Sequence, residues 1–160
     1  MFKDKFLLNA QRRNLFLATA GLFLSRTALA AAGHKIKAVV YKDPNCGCCQ
    51  DWVIHLEKNG FSVVLNGQAN SKERSKLGMP SKYSSCHTAI IENYLIEGHV
   101  PASDILRLLK EKPDALGLSV PGMVVGTPGM DGPAYNDLKE PFKVLLVRKN
   151  GTAEIFNSYS

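Results

Sequence analysis

The stretch AVVYKDPNCGCCQDWVIHLEKNG, residues 38–60, decides the fold of this chain. β-Branched residues are frequent in Ile36–Tyr41, which predicts a strand. An Asp-Pro-Asn turn then breaks the strand, and Asn45 is a candidate N-cap for a helix over Cys48–Lys58. Apolar residues recur at three- and four-residue spacings along this helix, as they do on a buried face. A second predicted strand, Phe61–Leu65, completes a β-α-β unit, whose two strands pair in parallel.

The remainder of the chain predicts a single α/β domain over residues 31–160. The order of its elements is typical of a thioredoxin-like sandwich, a mixed sheet with flanking helices. Gly117–Pro133 holds eight glycine or proline residues and repeats Pro-Gly-Met at 121–123 and 128–130. We expect it to be a Gly/Pro/Met-rich insertion without regular structure, of the kind that often carries function. The other predicted elements are a short helix at Ser71–Leu77, a helix that opens at Pro101 and ends at Lys112, and strands at His87–Ile91, Tyr94–Glu97, Phe142–Arg148 and Thr152–Tyr159.

Residues 1–30 have the pattern of a signal peptide. They carry five cations and one anion, an apolar run at 15–24 too short to span a bilayer well, and Ala28-Leu29-Ala30 as a cleavage site. An uncleaved anchor is disfavoured because Ser25 and Arg26 interrupt the apolar run. We therefore expect a periplasmic protein, exported by the general or the twin-arginine route, with no stable membrane insertion after cleavage.

The leader also explains most of the net charge. Its net charge is +4, so only +2 of the chain's total of +6 belongs to residues 31–160. No basic stripe remains there that would indicate binding to nucleic acid.

The four cysteines suggest either electron chemistry or a soft metal. Cys46 and Cys49 have C-x-x-C spacing between a strand and a helix N-terminus, where the positive end of the helix favours a thiolate. That position suits both disulfide exchange and metal binding. Cys48 favours metal, because a third thiol invites wrong pairings in a dithiol exchanger, whereas four thiolates, with Cys86, suit Cu(I) or Zn(II). Neighbouring side chains diverge by about 100° around a helix, so Cys48 and Cys49 are expected to reach different ions of a multinuclear, thiolate-bridged site.

Several motifs in one order resemble those of the CopG-type periplasmic copper-resistance proteins, a family of thioredoxin-like metal-binding proteins. They are CGCC at 46–49, SCHTA at 85–89, EGHVP at 97–101, VPGM at 120–123 and GM at 129–130. The resemblance covers essentially all of residues 31–160. It implies a thioredoxin-like fold, copper bound by Cys46, Cys48, Cys49 and Cys86, and a role in copper resistance or homeostasis. It also implies redox cycling of the metal and contact with other periplasmic copper-handling proteins.

Three more residues are candidate metal ligands beside the cysteines. His87 directly follows the fourth cysteine, although it could instead orient a strand. Met123 and Met130 lie in the insertion rather than on an apolar face, and a thioether there is a suitable donor for Cu(I). His99 is expected to be a hydrogen-bonded turn residue rather than a ligand, and Trp52 is expected to pack in the core.

Three alternatives to a copper-binding protein for resistance or homeostasis remain open from the residues. The protein could be a thiol-disulfide oxidoreductase with Cys46 as nucleophile and Cys49 as resolving thiol. It could be a copper oxidoreductase that converts Cu(II) to Cu(I) with electrons from an unidentified source. Two purely structural disulfides are the third alternative. A thioredoxin-like fold also predicts a cis-proline beside the cysteines, and Pro121 and Pro128 are the candidates.

Overall fold

The computed structural model describes residues 35–67 and 70–160, and the predicted signal peptide, residues 1–30, lies outside the described residues. The described chain forms one mixed sheet of seven strands in the order β2-β1-β3-β4-β5-β6-β7. The predicted α/β fold with a mixed sheet is confirmed. Its strands are β1 (Ile36–Lys42), β2 (Phe61–Asn66), β3 (His87–Ile91), β4 (Tyr94–Glu97), β5 (Gly117–Ser119), β6 (Phe142–Val147) and β7 (Ala153–Tyr159), and its helices within the described ranges are α1 (Gly47–Lys58), α2 (Asn70–Lys76) and α3 (Ala102–Glu111).

The predicted β-α-β unit is present at one edge of the sheet. β1 and β2 pair in parallel with Ile36 opposite Phe61, and α1 connects them. The buried face of α1 follows the spacing read from the sequence, because one residue in every three or four points into the core. This face consists of Cys49, Trp52, Val53 and Leu56. Trp52 is fully buried, as predicted, and its indole N–H donates to the carbonyl of Val100 at 2.9 Å.

The central hairpin of β3 and β4 brings distant parts of the sequence together. β3 runs antiparallel to β1, so His87 at its start lies opposite Lys42 at the end of β1. β4 pairs with β3, and Thr88 lies opposite Glu97. The residues just before β3 and just after β4 therefore lie at the same end of the strands as the N-terminus of α1.

The first residues of the predicted insertion are a strand, which the sequence analysis missed. β5 pairs in parallel with β4, and α3 forms the crossover between them. Gly117 makes this pairing possible, because a Cβ there would lie 1.7 Å from the carbonyl oxygen of Leu95. Leu118 is fully buried in the core. Three residues are too few to show the alternation that marks a strand, so the pattern gave no signal.

The C-terminal hairpin has the predicted position, although each strand is one residue shorter at the turn. β6 and β7 pair antiparallel with a register shift between Val144 and Leu145. The rings of Phe142 and Tyr159 stack at the far end, with centroids 4.5 Å apart. None of the helices in the described ranges has the length and apolar character that a bilayer crossing needs.

The expected cis-proline is absent from the described residues. All peptide bonds in residues 35–67 and 70–160 are trans, including those before Pro121 and Pro128. The insertion instead turns at glycines with positive φ, among them Gly122 at 76° and Gly129 at 84°.

Candidate metal centre

Three of the four cysteines lie at the N-terminus of α1. The N-cap is Cys46 rather than the predicted Asn45, and its side chain makes no capping hydrogen bond. Asp43 forms the turn that shifts the cap: its carboxylate accepts the Asn45 N–H at 2.8 Å and its carbonyl accepts the Cys46 N–H at 3.0 Å. The sulfur of Cys46 therefore lies at the positive end of the helix, with Cys48 and Cys49 in the first turn.

Cys86 reaches this group from the segment that precedes β3. Because β3 begins opposite the end of β1, Cys86 lies beside the start of α1 although it is 37 residues from Cys49. The sulfur atoms of Cys46, Cys48, Cys49 and Cys86 all lie within 4.8 Å of one another. The structure thus brings together the four cysteines that the sequence analysis selected.

The cysteines are present as one disulfide and two thiols. Cys46 and Cys49 are disulfide-bonded, while Cys48 and Cys86 are free. Cys49 is fully buried, whereas Cys48 is half-buried. The sulfur of Cys48 lies 3.5 Å from that of Cys46. Two structural disulfides are therefore not the state observed. The sulfur atoms of Cys48 and Cys49 both lie beside that of Cys46, close enough to share a cluster.

Two buried histidines form a second donor group with Cys86. The sulfur of Cys86 lies 3.3 Å from Nδ1 of His87 and 3.2 Å from Nε2 of His99. Nδ1 of His99 lies 2.8 Å from the carbonyl oxygen of Pro128, so this nitrogen carries the proton and Nε2 offers its lone pair to Cys86. Nε2 of His87 is buried without a hydrogen-bond partner in the described chain, and its ring lies 4.3 Å from that of Trp52.

His99 is a candidate donor that the sequence analysis set aside as a turn residue. The hairpin register indicates the position of His99. Because Thr88 lies opposite Glu97, the residues after Glu97 lie beside those before Thr88. His99 therefore approaches Cys86. The strand bounds alone predict this neighbourhood once the hairpin is recognised.

Burial controls the protonation of this group. Burial, with a smaller contribution from Cys48, raises the pKa of the Cys86 thiol from 9.0 to about 11. Burial also lowers the pKa of His99, and it lowers the pKa of His87 well below the ordinary value of 6.5. At neutral pH the histidines are therefore neutral imidazoles, the form that ligates metals, and Cys86 must lose a proton when it binds one.

One Pro-Gly-Met turn contacts the segment before Cys86, and the other contacts α1. The N–H of Gly122 donates to the carbonyl of Ser84 at 2.9 Å, and the hydroxyl of Ser85 donates to the carbonyl of Gly122. In the second turn, Gly129 packs directly on the backbone of the first turn of α1. The two methionines differ in exposure: Met123 is 61% exposed, whereas Met130 is 7% exposed.

The donor set suits a soft metal ion. Thiolate–metal bonds of about 2.3 Å place sulfur atoms roughly 3.8 Å apart around a tetrahedral ion. The four sulfur atoms here lie within 4.8 Å of one another, with Cys46 and Cys49 joined as a disulfide. Thiolates, thioethers and imidazoles together favour Cu(I) or Zn(II) over hard cations such as Mg²⁺. Two of the thiolates become available as ligands only when the Cys46–Cys49 disulfide is reduced.

Comparison with known proteins places these features in one family. A family model described as "Protein of unknown function, DUF411" matches residues 83–130, which include Cys86, both buried histidines and both Pro-Gly-Met turns. The solved structure titled "Copper resistance protein copG- Form 2" is 42% identical, with a TM-score of 0.73, over 79% of this chain and 99% of that chain. "Copper resistance protein copG- Form 1" is 43% identical, with a TM-score of 0.72, over 78% and 98%. No curated protein matches the chain.

Proposed function

We propose a function for this protein that starts from its family: the chain belongs to the family of the copper resistance protein CopG. It binds copper as Cu(I) at Cys46, Cys48, Cys49 and Cys86, and it serves copper resistance or homeostasis in the periplasm. The observation that carries the proposal is the grouping of these four sulfur atoms within 4.8 Å. Thiolate sulfur is the donor that Cu(I) prefers, and four thiolates exceed what a dithiol exchanger requires.

We further propose that the site is multinuclear and bridged by thiolates. Cys86 belongs both to the group of four sulfur atoms and to the group with His87 and His99. The Cys86 thiolate has the other cysteine sulfurs on one side and the two imidazoles on the other, so it can bridge two copper ions. Met123 and Met130 are proposed as additional thioether ligands, since their turns are held against the segment of Cys86 and against α1.

Metal analysis together with a thiol count tests the proposal. We expect protein purified from the periplasm to begin at residue 31, and the reduced, anaerobic protein to bind Cu(I) with all four thiols protected from alkylation. Protection follows because a thiolate bound to metal is not free to react. Bound copper is measured by atomic absorption, and free thiols and the N-terminus are measured by mass spectrometry. A reduced protein that takes up no copper, or that keeps four reactive thiols with copper present, would contradict the proposal.

Thiol-disulfide exchange is a second candidate function, and the Cys46–Cys49 disulfide favours it. Cys46 is partly exposed at the helix N-terminus and Cys49 is fully buried, which is the arrangement of an attacking and a resolving thiol. If this function is present, the metal-free reduced protein should reduce insulin disulfides, and Cys48→Ser should leave the rate unchanged. Cys46→Ser is the matched control and should abolish turnover. No turnover by the metal-free wild type would exclude this function.

The same dithiol could reduce copper. Closing one disulfide releases two electrons, which convert two Cu(II) ions to two Cu(I) ions. Mixing the reduced protein with Cu(II) and counting the Cu(I) formed for each disulfide tests this role, and a ratio well below two would argue against it.

A further inference from the structure

A buried carboxylate holds the segment that carries Cys86. Glu97 is the last residue of β4 and is 0% exposed. One of its oxygens, Oε1, accepts the backbone N–H of Ser85 at 2.7 Å and a guanidinium N–H of Arg74 at 3.3 Å. The other, Oε2, accepts the hydroxyl of Thr88 at 2.5 Å. The carboxylate thus bonds to the chain on both sides of Cys86.

The short helix α2 holds the same segment from the other side. No residue of α2 itself is buried, and the nearest apolar packing begins just after it, at Leu77 and Met79. Two of its side chains donate to the carbonyl of Ser85: Nδ2 of Asn70 at 3.2 Å and Nη1 of Arg74 at 3.3 Å. Both backbone polar groups of Ser85, the residue before Cys86, are therefore held by side chains.

The surroundings leave this segment little room to move. Gly98 has a φ of 73°, and a Cβ there would lie 2.6 Å from Cβ of Ser85 and 2.5 Å from the carbonyl oxygen of Val120. Ser85 is therefore packed directly against the backbone that follows β4. A small displacement of Ser85 would move the sulfur of Cys86 away from the other three cysteines.

Stability does not by itself explain a buried carboxylate at this position. Burial raises the pKa of Glu97, although its hydrogen bonds and Arg74 oppose that shift. Taking both charges out of water costs about as much as their attraction returns, so such a pair adds little to stability. What the network does provide is a fixed position for the backbone of Ser85. Residues outside the ligand shell of a metal site commonly fix the position of the ligands in this way.

We propose that Glu97, together with Arg74, is a positioning residue that fixes Cys86 for metal binding. The proposal rests on the copper site proposed above. It assigns Glu97 no contact with metal: the carboxylate acts through the chain on either side of Cys86, at the backbone of Ser85 and the hydroxyl of Thr88. The effect of changing Glu97 must therefore depend on the presence of the Cys86 thiol.

A double-mutant cycle tests this dependence. Glu97→Gln keeps the side-chain volume but replaces one acceptor oxygen with a donor and removes the charge that pairs with Arg74. We expect it to lower the Cu(I) affinity of the reduced protein about 10- to 100-fold, as outer-shell changes do. In the Cys86→Ser background the same change should alter the affinity by less than about twofold, because its target is gone. Affinity is measured anaerobically by competition with a chromophoric Cu(I) chelator.

Asp104→Asn is the matched control. Asp104 is also a buried carboxylate, 2% exposed, and it accepts hydrogen bonds from Asn157 at 2.9 Å and Tyr159 at 2.8 Å, on a different part of the sheet. It should lower the unfolding midpoint to a similar extent while leaving Cu(I) affinity unchanged. If Glu97→Gln does not fold, Arg74→Gln replaces it in the cycle, since Arg74 lies closer to solvent and donates both to the Glu97 carboxylate and to the carbonyl of Ser85.

Each outcome bears on a different proposal. Loss of affinity that is coupled to Cys86 supports the positioning role. Equal losses with and without Cys86, no loss at all, or an equal loss in Asp104→Asn would overturn it. A wild-type protein that binds no copper would instead overturn the copper site, and the positioning role would fail with it.

Discussion

Cys86→Ser should lower the Cu(I) affinity of the reduced protein by more than about 100-fold, since even changes outside the ligand shell typically cost 10- to 100-fold. Cys86 is the cysteine that both donor groups share, so its loss removes a thiolate from the sulfur group and the sulfur from the histidine group. Serine fills nearly the same volume but offers a hard oxygen, which Cu(I) binds poorly. Competition with a chromophoric Cu(I) chelator measures the change.

Cys48→Ser is expected to have an effect of similar size for a different reason. It leaves the Cys46–Cys49 pair intact, so a dithiol exchanger should tolerate it, whereas a four-thiolate metal site should not. Ser84→Ala is the control for both variants, because it changes a side chain in the segment of Cys86 without removing a sulfur. If Cys48→Ser and Cys86→Ser bind Cu(I) as tightly as Ser84→Ala does, the copper site proposed here is wrong.

Elements with local signals could be predicted from the sequence. The bounds of β3 and β4 match the predicted His87–Ile91 and Tyr94–Glu97, because a turn separates two short apolar runs. β5 could not be predicted, because its pairing depends on the close approach of Gly117 to Leu95, a contact that forms only when α3 returns the chain to the sheet. Tertiary context, not local preference, makes this segment a strand.

The residues of the candidate site likewise divide into those with a local sequence signal and those without one. C-x-x-C spacing at a helix N-terminus predicts Cys46 and Cys49 as site residues, and the surplus of thiols adds Cys48 and Cys86 to the prediction. The Gly-His-Val-Pro surroundings of His99 suggest a turn, whereas the register of the hairpin of β3 and β4 brings His99 beside Cys86. Glu97 is the first residue of the EGHVP motif, but nothing in that motif indicates a buried network, because a glutamate at the end of a strand is usually exposed. Glu97 is buried because α2 and the segment of Ser85 pack around its carboxylate.

The insertion shows why a repeated motif need not mean a repeated role. Gly122 and Gly129 are the central residues of two Pro-Gly-Met turns, and their φ angles are 76° and 84°. A Cβ on Gly122 would meet nothing within 4 Å. A Cβ on Gly129 would lie 2.6 Å from the backbone nitrogen of Trp52 and 2.7 Å from the carbonyl oxygen of Cys48. The second turn is therefore pressed against the helix that carries the cysteines, and the first is not.

Gly129→Ala should consequently lower the free energy of unfolding by about 2–4 kcal/mol, whereas Gly122→Ala should cost only about 1 kcal/mol. Both variants force alanine into a left-handed conformation, which costs about 1 kcal/mol or more. Only Gly129→Ala adds a clash with helix backbone, and overpacking of this kind typically costs about 1–3 kcal/mol. The clash is hard to relieve, because the nearest atoms belong to the main chain of α1 and not to a flexible side chain.

Urea unfolding of the reduced, metal-free variants measures both costs without interference from copper. The same clash should move the turn off the start of α1, together with the Pro128 carbonyl that faces Nδ1 of His99. Cu(I) affinity should therefore fall in Gly129→Ala and remain near that of wild type in Gly122→Ala. Equal unfolding costs for the two variants would show that the second turn does not press on α1. A destabilised Gly129→Ala protein with wild-type affinity would show that the site tolerates the loss of this contact, because the cysteines and His99 would then hold their positions without it.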